Sequence, residues 1–300
     1  MLRHTAKLAA VALGMWLLIA GAWTSVRLLS QSFNKRGEKN LLEVVDSEPA
    51  PRHLTQRPPG ESITERYLEV LKLYLTRYDF GGDTVARETG LDWPRSAETM
   101  IGLKRLDNLH ECIKAVIRDR VPGDLLEAGV WRGGATIFMR AALLAYKEPD
   151  RRVWAADSFE GLPAADAGKY PADGGRSWTK ANAILAVSLE DVKANFARYG
   201  LLDDRVVFLK GWFKDTLPQS PVERLAILRV AADLYESTTE ALSFLYKRDS
   251  PGGYVIVDDY GGIAACKKAV DDFRAANGIK EPIEKIDLTG VYWRRSGIAP

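Results

Sequence analysis

Three hundred residues, 46% hydrophobic and 27% charged, suit one sizeable globular domain with extensions. A net charge of +2, with Lys and Arg interspersed among Asp and Glu, carries no electrostatic footprint for nucleic acid. Two isolated cysteines, Cys112 and Cys266, exclude a disulfide framework and thiolate zinc. His4, His53 and His110 lie far in sequence from the acidic strand ends, so any chemistry falls to carboxylates.

Residues 8–26, "LAAVALGMWLLIAGAWTSV", carry no charge and follow Arg3 and Lys7. At ~1.5 Å per residue such a helix spans most of a ~30 Å hydrocarbon core, so a membrane anchor is expected over 1–30. A cleaved signal peptide ending near "AGA" (20–22) and a buried soluble helix are the alternatives. Arg27, Lys35, Arg36 and Lys39 outnumber the basic residues in front, which favours a catalytic part facing the cytoplasm. Residues 31–61, broken by Pro49, Pro51, Pro58, Pro59 and Gly60, read as a linker.

Helical periodicity marks 63–78 and 100–119, with a loop over 79–95, and together these define a helical cap region, 62–120. From 121 to 300 short apolar strands (123–130, 151–159, 204–213, 225–233, 253–260) alternate with helical segments (134–146, 188–200, 238–249, 265–278). That alternation predicts an α/β, Rossmann-like, doubly wound and mostly parallel sheet covered on both faces. Two strand-like pieces in 283–295 suggest an antiparallel edge pair.

In such folds ligands bind beyond the carboxyl ends of the strands. The first strand ends with Glu127 and Gly129, followed by Gly133 and Gly134 at a helix start. This is not a GxGxxG fingerprint, which disfavours a nicotinamide oxidoreductase, and no GxxxxGK[ST] loop exists. The second strand ends at Asp157, where a carboxylate accepts ribose hydroxyls. Acids at successive strand ends without phosphate-binding glycines suit S-adenosylmethionine (SAM). The fourth and fifth strands end in Asp233 and in Asp258–Asp259, which suggests a metal site or a catalytic pair.

The strings "DWPRSAETMIGLKRLDNLHECI" (92–113), "LLEAGVWRGGATIFMRAAL" (125–143), "VWAADSFEGLP" (153–163), "LRVAADLYESTTEAL" (228–242) and "GGYVIVDDY" (252–260) resemble the macrocin O-methyltransferase (TylF/MycF-type) family. The resemblance runs over roughly 62–295 and implies a class I methyltransferase acting on a sugar-like hydroxyl. It implies SAM contacts at Ile101 (in "TMIG", 99–102), Glu127, Gly129, Gly133, Asp157, Ser158, Gly211 and Trp212. It further implies Mg²⁺ held by Asp233, Asp258 and Asp259, which would acidify the attacked hydroxyl. The family pattern L-R-x-D-x-D-x-Y-E-S-T has its first aspartate replaced here by Ala231, leaving Asp233 as the catalytic acid of that turn. A non-catalytic SAM-binding member is therefore the alternative. The cap is expected to cover the cofactor and to offer a homo-oligomer surface.

Overall fold

The computed structural model describes residues 62–78, 83–174 and 178–296. Helix α1 (Ile63–Thr76) starts where the Ser62 hydroxyl accepts the Glu65 N–H at 3.1 Å, and it ends on Arg77 in the left-handed region. A short α2 (Thr84–Thr89) lies in the expected loop, capped by Asp83 and stopped by Gly90. Helix α3 (Gly102–Arg118) buries Leu103, Leu106, Leu109, Ile113 and Val116, an apolar stripe at helical spacing.

The α/β alternation then follows. Its elements are β1 (Asp124–Ala128), α4 (Gly134–Ala145), β2 (Val153–Asp157), α5 (Thr179–Leu185), α6 (Leu189–Arg198) and β3 (Val206–Lys210). Next come α7 (Phe213–Thr216), β4 (Leu225–Val230), α8 (Tyr235–Leu245), β5 (Asp249–Val257), α9 (Ala264–Ala276), β6 (Glu284–Lys285) and β7 (Val291–Arg294). The sheet order is β3-β2-β1-β4-β5-β7-β6. The first five strands are parallel, and β7 and β6 add an antiparallel edge. The expected doubly wound, mostly parallel sheet is thus present.

Alternate side chains of each strand serve opposite faces. Leu125, Ala155, Ile227 and Ile256 pack with Leu68, Leu106, Leu109 and Phe138 of the α1, α3 and α4 side. Leu126, Trp154, Leu228 and Val255 pack with Ala241, Leu242 and Val270 of α8 and α9. The cap helices therefore share one core with the sheet.

The membrane anchor and the membrane location drawn from it are corrected. Among the described residues no helix is long and apolar enough to cross a membrane, the longest being the 17-residue amphipathic α3. The expectation rested on uncharged length in residues 8–26 alone, and those lie outside the described residues, as does the linker expected at 31–61.

Candidate active site

Sheet order reverses between β1 and β4, so their carboxyl ends frame the crevice where ligands of this architecture bind. The two ends meet closely there. The Ala231 N–H donates to the Ala128 carbonyl at 2.9 Å, and a Cβ on Gly129 would lie 1.9 Å from the Ala231 carbonyl oxygen. Gly129 also has φ +88°, so glycine is required on both counts. Gly133, at φ +86°, is the N-cap of α4 and sits in the left-handed region that favours glycine.

Asp157 reaches this turn from β2. Its Oδ2 accepts the Val130 N–H at 2.7 Å and its Oδ1 accepts the Phe159 N–H at 2.8 Å. Burial raises its pKa above the ordinary value, against the pull of those backbone donors. The Ser158 hydroxyl lies 3.4 Å from Oδ1 and the Trp131 backbone N–H also lowers the pKa, so this carboxylate is the shared acceptor of the turn's donors. Gly211 donates its N–H to the Asp157 carbonyl at 2.9 Å, bringing Gly211 and Trp212 beside this acid. Ser158 turns inward instead, donating to the Gly161 carbonyl at 2.7 Å. Ile101 sits in the core at the start of α3, and its neighbour Glu98 receives the Gly134 N–H at 2.9 Å. The "TMIG" segment thus lies against the glycine turn.

Glu127 is 2% exposed, and both its oxygens are taken by protein groups, the Thr136 hydroxyl and the Arg229 guanidinium. Burial pushes its pKa up to about 7 even though Arg229 pulls it down. Arg229, inside an otherwise apolar strand and 1% exposed, also pairs with Asp258 Oδ2. That oxygen receives a second guanidinium from Arg105 of α3 at 2.9 Å, and Arg105 Nε lies 3.0 Å from Asp287 in the β6–β7 hairpin. A buried chain of alternating charge, Glu127–Arg229–Asp258–Arg105–Asp287, therefore runs along the α3–α4 side of the sheet. Sequence reasoning missed its arginines, although a lone Arg in the run "LAILRVAAD" was the available signal.

Asp233 follows β4 in the left-handed region at φ 57°, and Asp258 and Asp259 follow β5. The Asp259 carboxyl is held well above the usual range by burial first, then by the charges of Asp233 and Asp258. The structure brings the three expected metal ligands into electrostatic contact, yet it does not assemble them as a ligand set. Residue 231 offers only a methyl group, and Asp258 Oδ2 is committed to two guanidinium groups, which leaves its buried Oδ1 as the one oxygen without a hydrogen-bond partner on that residue. Among the described residues no group of three or more His, Cys, Asp or Glu is arranged to hold a metal. The residues present do not fit a three-carboxylate Mg²⁺ site.

A doubly wound sheet with an acid after β2 and a glycine turn at its switch point defines a class I methyltransferase. The particular family follows from comparison. The macrocin O-methyltransferase (TylF) family matches residues 58–295, and the chain belongs to it. It is therefore an enzyme, a SAM-dependent O-methyltransferase. It is 53% identical over 248 residues to the 8-demethyl-8-(2,3-dimethoxy-α-L-rhamnosyl)-tetracenomycin-C 4′-O-methyltransferase of Streptomyces olivaceus, covering 79% of this chain and 95% of that one. It is 48% identical over 247 residues to the mycinamicin III 3″-O-methyltransferase of Micromonospora griseorubida, covering 77% and 97%. Among solved structures, the O-methyltransferase NovP superposes with a TM-score of 0.77 at 47% identity, covering 78% of this chain and all of that one.

Proposed function

We propose that the chain methylates a hydroxyl of a sugar carried by a natural product, with Asp157 binding the cofactor's ribose and Asp233 receiving the hydroxyl proton. The observation that carries this reading is Asp157 facing the Gly129–Val130 turn at the sheet's switch point. A relative named for methylating a rhamnosylated tetracenomycin supports the acceptor class. In the reaction the acceptor oxygen forms a bond to the methyl carbon as the carbon–sulfur bond breaks. The hydroxyl proton passes to a carboxylate, and S-adenosylhomocysteine leaves. Orientation of the two reactants supplies most of the rate, and a carboxylate within hydrogen-bond reach adds general-base assistance.

Ala231 favours a second reading, a chain that keeps SAM without transferring its methyl group. Two measurements separate the readings. Equilibrium dialysis with SAM should show binding by the chain as it stands and a loss of about tenfold or more in Asp157→Asn, since a charge-assisted hydrogen bond is weakened. Radiolabelled SAM with a panel of rhamnosylated polyketides should then yield a methylated glycoside. Binding without transfer, with transfer appearing only in Ala231→Asp, would establish the second reading. No binding at all would overturn both.

A further inference from the structure

Helix α8 begins without a cap of its own. Its N-cap residue is Leu234, whose side chain accepts nothing, so its first amides need a partner from elsewhere. Asp173, 62 residues before Tyr235, supplies it. This residue is 3% exposed and closes a 3₁₀ turn (Pro171–Asp173). Its Oδ1 accepts the Tyr235 N–H at 2.6 Å and its Oδ2 accepts the Glu236 N–H at 3.0 Å. The Tyr170 ring packs on the Tyr235 ring at 5.8 Å beside this contact.

The segment that carries Asp173 is also pinned at its other end. Asn182 of α5 exchanges hydrogen bonds with the Leu162 backbone at 2.8 and 2.9 Å. The Trp131 indole, in the β1–α4 turn, donates to the Ile184 carbonyl at 2.9 Å. Since β1 lies between β2 and β4 in the sheet, the direct route from β2 to the start of α8 passes the carboxyl end of β1. That end is the cofactor crevice.

We infer that Asp173 is the positioning residue that closes Leu162–Gly174 across the cofactor crevice, by capping α8 from a distant part of the chain. The inference rests on the crevice's holding a nucleoside thioether or sulfonium. In closing the segment, the same contact anchors the turn bearing Ala231 and Asp233, so cover and acid turn move as one unit. Product release then requires the Asp173 bonds to break.

The test uses the full chain, with S-adenosylhomocysteine as the probe, in stopped-flow tryptophan fluorescence and in amide hydrogen exchange. Asp173→Ala should speed dissociation about tenfold or more, because two bonds to a charged acceptor are lost. Asp173→Asn keeps one acceptor oxygen and should fall between. Exchange should accelerate in 162–174 and at Tyr235 and Glu236, while β1 and β4 keep their protection. A folded variant whose 162–174 amides exchange faster with dissociation unchanged would show that the segment does not cover the ligand. Unchanged exchange would remove the latch itself. Failure of the unaltered chain to bind the probe would bring down the cofactor reading, and this inference with it.

Discussion

Replacing Arg229 with methionine tests the buried charge chain. Arg229 faces two carboxylates, Glu127 and Asp258, and all three side chains are almost wholly out of water. Methionine fills similar volume, so the loss is chiefly electrostatic. Asp258 keeps Arg105, whereas Glu127 keeps only the Thr136 hydroxyl. Removing one partner of a buried ion pair costs about 3–5 kcal/mol. A domain of this size shifts its Tm by about 2–4 °C per kcal/mol, so the melting point should drop by about 6–20 °C. Most of that cost falls on Glu127, which without Arg229 must take up a proton or stay charged in the core, so Glu127→Gln on the Arg229→Met background should restore about 1–3 kcal/mol. Thermal and urea unfolding followed by circular dichroism measure both steps. A single variant within about 1 kcal/mol of the original chain, or a double variant no more stable than the single, would refute the account.

Asp249 gives a pH signature. It is 2% exposed, neither oxygen has a hydrogen-bond partner, and burial holds its carboxyl well above 3.8 despite the pull of Arg295. The folded chain keeps a proton that the unfolded chain releases near pH 4. Stability is therefore full below that pH and falls as pH rises toward the folded value, by up to about 1.4 kcal/mol per unit. Asp249→Asn should flatten the slope, and parallel Tm-against-pH curves for the two chains would contradict this. Gly129→Ala should destabilise by at least about 2 kcal/mol, combining the positive-φ cost with a clash against backbone. It should also weaken SAM binding, and a crystal structure with an undisturbed β1–β4 contact would overturn that expectation.

The five parallel strands were legible because strands buried on both faces read as unbroken apolar runs, as in "LLEAGV" and "YVIV". Helix α2 was missed although its punctuation, Asp83 before and Gly90 after, stands in the sequence, because six residues carry too little periodicity. The first four residues of β5 were missed because Asp249–Ser250–Pro251–Gly252 has turn chemistry, yet it pairs at the sheet's amino end. At the site, the acids at strand ends were legible one by one. Their partners were not, because Arg105 and Asp258 are 153 residues apart and only the packing of α3 on the sheet joins them. The Asp173 cap is hidden for the same reason. Only its shadow, a helix starting at "LYEST" with leucine at the N-cap, is local.

The hairpin at the end of the sheet bears on self-association. Its outermost strand, β6, is two residues long, and both Glu284 and Lys285 are exposed and charged. A second chain seeking to extend the sheet there would find almost no ladder to pair with, and it would have to desolvate opposite charges to reach it. Edge-to-edge polymerisation is blocked on that side by brevity and charge, while β5 behind it keeps its apolar runs paired.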